Sequence, residues 1–141
     1  MTRLIRERRL QQVAGAESDG TVWVRRAART ATAARAVADI DPDSAFVLTY
    51  DAARQACTAL LVHQGLRPTT EGGHYVIEEV LRAQFGDLLR RFSVLRRRRN
   101  ELEYLTLSGD RADIDEVTTA LDDIEQIIQA VERLLPNLSR F

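Results

Sequence analysis

The stretch SAFVLTYDAARQACTALLVHQG, from Ser44 to Gly65, decides the fold class of this chain. Its apolar residues recur at steps of three and four, which places them on one face of a helix with about 3.6 residues per turn. These residues are Phe46, Tyr50, Ala53, Cys57, Leu60 and Leu61. Pro42 precedes the stretch, Asp43 or Ser44 can cap it, and Gly65 can end it. The stretch therefore predicts a long amphipathic helix.

The C-terminal part of the chain carries the same pattern more regularly. Steps of three and four alternate along its apolar residues, and Pro136 closes the helix. These residues are Ile114, Val117, Leu121, Ile124, Ile128, Val131 and Leu135. An apolar seam of this length needs a partner surface, so we expect this helix to pack along others.

Three more segments have helical periodicity: residues 21–41, 71–86 and 87–107. The first aligns alanines behind Trp23, and such small side chains let a neighbouring helix approach closely. Gly86 can end the second segment and Asp87 can cap the third. No segment has an alternation strong enough to predict a strand. The predicted fold class is all-α, an up-and-down bundle of four to five helices.

Length and composition limit the classes of protein. At 141 residues the chain has the length of one domain, in which we expect residues 1–20 to be a short, basic, helical N-terminal arm and a linker, and residues 21–141 to form the bundle. The net charge of -1 gives no overall attraction to nucleic acid or to an anionic membrane. No apolar run reaches the roughly 18 residues of a membrane span. The single Cys57 excludes an intrachain disulfide and favours a cytoplasmic location, without a membrane partner.

The residues that most often carry chemistry are sparse. His63 and His74 have no second ligand at metal-binding spacing, so no metal and no cofactor are predicted. Cys57 lies within the apolar face of its helix and is predicted to be a small core residue. The sequence TTEGGH lacks the glycine spacing and the lysine of a phosphate-binding loop.

The stretch RRRRNELEY, from Arg96 to Tyr104, is the exception. It contains the i,i+4 pairs Arg97–Glu101 and Arg99–Glu103, each of which contributes only about 0.2–0.5 kcal/mol when exposed. One interpretation is therefore a solvated helix face.

Arg99 does not fit that interpretation. It follows Leu88, Phe92 and Leu95 and precedes Leu102 at steps of three and four, so an arginine lies on the apolar stripe of its helix. A guanidinium at such a position is costly unless it is fully paired. This cost indicates that the charge is needed there.

The sequence RNELEY after an arginine-rich helix start, followed by a long amphipathic helix, resembles the HEPN domain (higher eukaryotes and prokaryotes nucleotide-binding). The sequence YDAARQACTALLVHQGLRP is also similar to the second-helix pattern of prokaryotic HEPN proteins. The resemblance covers about residues 21–135 and is closest to a minimal branch of the family in high-GC bacteria.

The resemblance implies a helical bundle that pairs as a homodimer. The family motif is an arginine, often a polar residue after it, and a histidine after four to six further residues; in active members the motifs of two chains line one cleft and cleave RNA without a metal. It implies that Arg99 is the motif arginine and Asn100 its polar follower, with Glu103 in support. Where the histidine is expected, this sequence has Tyr104, Leu105 and Thr106.

The absent histidine changes the expected chemistry. Tyrosine, with a pKa near 10, is a poor base at neutral pH, although Tyr104 could still donate a hydrogen bond to a phosphate or stack on a base. Arg99 would stabilise the charge that develops on the phosphorus centre. Arg96, Arg97 and Arg98 are either a flank that gathers phosphates or solvated charges.

Two functions remain open. The first is an RNA-directed HEPN-like protein, a toxin-type ribonuclease or an RNA-binding domain, in toxin–antitoxin or phage-defence systems. If it is active, it would be a metal-independent endoribonuclease. The second is a non-catalytic homodimeric module that binds a protein partner such as a nucleotidyltransferase or a polymerase. The candidate partners of the chain are therefore RNA, an antitoxin or a nucleotidyltransferase-type protein.

Overall fold

The computed structural model describes residues 10–12, 19–64, 66–68, 86–104 and 111–137. Its helices are α1 (Gly20–Val37), α2 (Pro42–His63), α3 (Gly86–Tyr104) and α4 (Ile114–Leu134), and a single 3-10 turn, Leu135–Asn137, follows α4. The prediction of an all-α helical bundle is confirmed. The predicted helix over residues 71–86 lies outside the described residues, apart from Gly86, which opens α3.

Two short strands accompany the helices. Strand β1 (Leu10–Gln12) pairs with strand β2 (Leu66–Pro68) in an antiparallel ladder, with Gln11 opposite Arg67. The sequence pattern identified neither strand, because three residues are too few for alternation to emerge. At β1 the N-terminal arm is extended rather than helical, and it contacts the segment that follows α2.

An aspartate starts each of three helices. The side chain of Asp19 accepts a hydrogen bond from the Thr21 amide at 3.0 Å, and Asp113 does the same for the Glu116 amide at 2.8 Å. Helix α2 is capped by Asp41 rather than by the predicted Asp43 or Ser44. Pro42 then occupies the first turn, where the missing N–H costs nothing, so the cap lies before the proline.

Helix α2 is the centre of the bundle and packs against α1, α3 and α4. The apolar face predicted from its sequence is buried. Most residues that lie between those of this face are buried too, and from Gln55 to Val62 every residue is buried. Alanines explain this, since they let helices approach α2 from several sides. They are Ala45, Ala52, Ala53, Ala56 and Ala59.

Sequence neighbours in the bundle run antiparallel. The start of α1 lies against the end of α2, where the Gly20 amide donates to His63 Nδ1 at 3.3 Å. The end of α3 lies against the start of α4, where Arg98 pairs with Glu116. The seam of α4 is buried inside the chain except at Ile114, which is 41% exposed. The up-and-down arrangement thus brings the seam to the interior.

Helix α1 approaches α2 closely at Gly20. A Cβ atom there would lie 2.5 Å from the Ala59 carbonyl oxygen and 2.8 Å from His63 Cβ. The first of these neighbours is backbone, which cannot move without shifting α2. The α1–α2 hairpin therefore requires glycine at this position.

We predict that Gly20→Ala destabilises the protein by about 1–3 kcal/mol, the usual cost of overpacking. Gly86→Ala is the matched control, because Gly86 also opens a helix and a Cβ there meets nothing within 4 Å. Urea unfolding of both variants measures the difference. Equal unfolding midpoints for the two variants would show that the close contact at Gly20 does not limit stability.

Candidate functional site

Arg99 lies on the face of α3 that packs against α2. Its neighbours on this stripe, Phe92, Leu95 and Leu102, are buried. Its Cζ atom is 5.3 Å from the ring centroid of Tyr50, a residue of α2 that is only 1% exposed. Tyr50 in turn stacks on Phe92 with ring centroids 5.6 Å apart. The predicted position of Arg99 on the apolar stripe agrees with this geometry, and an aromatic face holds its guanidinium.

The hydrogen bonds of Arg99 are incomplete. Its Nη1 atom donates to Glu103 Oε2 at 3.1 Å, so the predicted i,i+4 pair is present. The Glu103 side chain is 58% exposed, and solvent therefore screens this pair. The Nε atom of Arg99 is buried and has no hydrogen-bond partner among the described residues. One donor of the guanidinium is thus unused.

A pocket of about 300 Å³ lies beside Arg99, between the first turns of α2 and the end of α3. Its lining residues are Asp43, Ser44, Val47, Arg99, Leu102 and Glu103. Asp43 Oδ1 accepts a hydrogen bond from the Ala112 amide at 2.7 Å, which ties the start of α4 to this pocket. Two carboxylates and one guanidinium line the pocket, so an anion must compete with Glu103 for Arg99.

The other two motif positions lie on faces of α3 that differ from the face of Arg99. Asn100 is half-buried on the neighbouring flank of α3. Helix α3 continues without a break to Tyr104, whose side chain lies outside the described residues. Five helical residues correspond to about 7.5 Å of rise and about 140° of rotation. Within one chain the backbone therefore places Arg99 and position 104 on different faces of α3.

The arginines before Arg99 have different surroundings. Arg98 forms a two-pronged ion pair with Glu116 of α4, and its Nη1 also lies 3.3 Å from Glu101 Oε2. Glu101 thus pairs with Arg98 rather than with the predicted Arg97. Arg97 is exposed, and its Nε donates to the Ser93 carbonyl at 3.4 Å, whereas Arg96 is half-buried. Arg98 therefore joins two helices, and Arg97 faces solvent.

Sequence reasoning missed two members of this site. The sequence pattern places Tyr50 on the apolar face of its helix and indicates Asp43 only as a cap. No local pattern connects either residue with Arg99, because the contact joins two helices. Burial raises the pKa of Tyr50 to about 12, although the nearby Arg99 charge acts in the opposite direction. The phenol therefore stays neutral under Arg99 at physiological pH.

Other candidates for chemistry have ordinary structural surroundings. Cys57 is fully buried, as predicted for a core residue, and burial raises the pKa of its thiol to about 12. Among the described residues no three His, Cys, Asp or Glu side chains are grouped to hold a metal ion. None of the described helices is both long and apolar enough to cross a membrane.

Comparison with known proteins found no matching family model, curated protein or solved structure. The HEPN assignment therefore stays a prediction that depends on the RNELEY motif and the order of the helices.

We predict that Tyr50→Phe makes stability less sensitive to alkaline pH. In the unfolded chain tyrosine ionises near pH 10, whereas in the fold Tyr50 stays neutral to about pH 12. Its contribution to stability is therefore present below about pH 10 and is lost as the pH rises towards 12, by up to about 1.4 kcal/mol per pH unit. Urea unfolding across this range should show a shallower decline for the variant, which keeps the ring under Arg99. If the free energy of unfolding declined equally in the wild type and the variant, the claim that Tyr50 is buried as a neutral phenol would be contradicted.

Proposed function

We propose that this chain is a HEPN-like, RNA-directed domain in which Arg99 contacts RNA at the pocket between α2 and α3. The observation that carries the proposal is the guanidinium of Arg99, which lies over the buried Tyr50 ring and whose buried Nε has no hydrogen-bond partner among the described residues. An arginine that served only the fold would be expected to satisfy its buried donors with protein acceptors.

The chemistry of Arg99 suits a phosphate. Its planar fork of N–H donors can form two parallel hydrogen bonds to phosphate oxygens, which a lysine cannot do. The Tyr50 ring fixes the plane of the fork before any ligand arrives. A phosphate at this position would displace the carboxylate of Glu103 from Arg99. Glu103 therefore pairs with Arg99 when no phosphate is bound and weakens phosphate binding by competing for the guanidinium. Arg96 and Arg97 would add charge at the edge, in a flank that also includes Arg98.

A complete catalytic site would need a second chain. Arg99 and position 104 lie on different faces of one continuous helix, so a homodimer that pairs α3 with its symmetry mate is the arrangement we propose. The seam of α4 is already buried within the chain and is not available for such a dimer. The outer face of α3, with Val94 at 53% exposure, is available, and a stable interface there should bury at least about 1,000 Å² in total.

The second candidate function is a non-catalytic homodimeric module that binds a protein partner such as a nucleotidyltransferase or a polymerase. The separation of Arg99 from position 104 favours it, because it leaves no acid–base pair within one chain. The Arg98–Glu116 ion pair favours it too, since one arginine of the run stabilises the fold. RNA binding and RNA cleavage separate the two functions.

We predict that Arg99→Ala and Glu103→Gln change RNA affinity in opposite directions. Loss of a charged hydrogen-bond donor should weaken binding of single-stranded RNA by roughly 10- to 100-fold. Loss of the competing carboxylate should strengthen binding several-fold. Glu101→Gln is the matched control, because this substitution removes the same charge from the same helix. Glu101 pairs with Arg98 and lies outside the pocket. Fluorescence anisotropy with labelled RNA measures all three variants.

The same variants test the structural alternative. If Arg99 served only an ion pair with Glu103, both variants would lower the melting temperature similarly and leave RNA binding unchanged. That result would reject the RNA-directed proposal and favour the protein-binding module.

We predict that Tyr104→His produces metal-independent cleavage of RNA. Histidine titrates near neutral pH, and general acid–base catalysis typically contributes about 10²–10⁴-fold. Cleavage should persist in a chelator and disappear when Arg99→Ala is added. Light scattering and circular dichroism should first show an unchanged oligomeric state and fold. A folded histidine variant that leaves RNA intact would contradict the proposal that Tyr104 occupies the position of the histidine in a HEPN ribonuclease.

A further inference from the structure

A second group of arginines lies on α1. This helix contains four arginines and no carboxylate, whereas α4 contains six carboxylates and one arginine. The charges of the molecule are therefore segregated between helices, although the net charge of the whole chain is only -1. The arginines of α1 do not line the pocket at Arg99.

Among the described residues, three of these arginines form no ion pair. Arg35 pairs with Glu125 at 2.7 Å and with Asp122 at 3.5 Å. Within the described residues, no carboxylate lies at ion-pair distance from Arg25, Arg26 or Arg29, all of which are exposed. In the run on α3, by contrast, Arg98 and Arg99 are both paired.

The three unpaired arginines form one surface, which we name the α1 patch: Arg25, Arg26 and Arg29. Their spacing places them within an arc of about 100° on the helix, directly opposite its buried side. That buried side consists of Gly20, Val24, Ala27, Ala31 and Ala34. The Cζ atom of Arg26 lies 5.5 Å from the ring centroid of Trp23, which restrains its guanidinium.

The α1 patch is separate from the pocket at Arg99. The start of α1 contacts the His63 end of α2, whereas Arg99 lines a pocket with Asp43 and Val47 at the other end. A ligand confined to the pocket would not reach the patch. A chain molecule that carries regularly spaced negative charges could contact both.

We propose that the α1 patch binds the phosphate backbone of single-stranded RNA. The proposal rests on the RNA-directed function for the identity of the polyanion, but not on Arg99 itself. Phosphate contacts require cationic donors and no apolar surface. A protein partner would instead require an apolar core, and Val22 is the one large apolar residue exposed on α1. The composition of this face therefore fits phosphates better than protein.

Such contacts have a characteristic salt dependence. Each phosphate that an arginine neutralises releases counterions and adds about 0.7 to the slope of log affinity against log salt concentration for a single strand. Removal of two arginines from the patch should therefore reduce the magnitude of this slope by about 1.4. The contacts carry no sequence information, so the reduction should be the same for different RNA sequences.

The test compares two double variants of equal charge. Arg25→Gln with Arg29→Gln removes the patch and leaves Arg26 on Trp23, whereas Arg111→Gln with Arg133→Gln removes two exposed arginines elsewhere. Binding of a labelled uridine homopolymer is measured by anisotropy over a series of salt concentrations. We expect the first variant to show the reduced slope and about tenfold weaker binding at low salt, with the control close to wild type.

The possible outcomes separate the patch from the pocket. Equal slopes in the two double variants would overturn the α1 patch. Loss of self-association in the patch variant, with RNA binding unchanged, would also overturn it and assign the arginines to the acidic α4 of a second copy. If the patch variant shows the expected reduction in slope and Arg99→Ala binds RNA like the wild type, RNA binding at the α1 patch is supported and RNA binding at the pocket is rejected. Absence of RNA binding by the wild-type protein would reject both.

Discussion

The burial of α2 on nearly all sides is the constraint on which the rest of the structure depends. Its small residues allow close approach by α1 and the other helices, and at Gly20 a Cβ atom would already lie too close to the α2 backbone. Because α2 has so little free surface, the functional groups must lie at its ends or on the outer helices. The pocket at Arg99 opens at one end of α2, and the α1 patch lies towards the other.

Arg99 shows how a charge can be held beside a hydrophobic core. The aromatic face of Tyr50 provides attraction of about 0.5–2 kcal/mol without an anion, and solvent reaches the rest of the guanidinium because its side chain is 30% exposed. Glu103 adds only a screened pair. These contacts hold the guanidinium but leave its buried Nε without a hydrogen-bond partner among the described residues, as the proposed binding of an external anion requires.

Periodicity predicted much of the fold because the helices are long and their stripes are buried. The seam of α4 and the apolar face of α2 follow directly from steps of three and four. The ion pairs were less predictable: Glu101 meets Arg98 rather than Arg97, since Arg98 is also drawn towards Glu116 of α4. The Tyr50–Arg99 contact was equally unpredictable from the sequence. It joins two helices, and only their packing in the fold brings these two positions together.

The charge pattern shows why a run of arginines is a poor measure of a binding surface. Four consecutive arginines on a helix point in four directions, so packing assigns one to an interhelical ion pair, one to an aromatic ring and one to solvent. Arginines spaced by three or four residues share one direction, and Arg25, Arg26 and Arg29 of α1 form no ion pair with the described carboxylates. A polyanion would be attracted to arginines that share one helix face and form no ion pair. Spacing and pairing, rather than local density, therefore decide where such a ligand would first contact this protein.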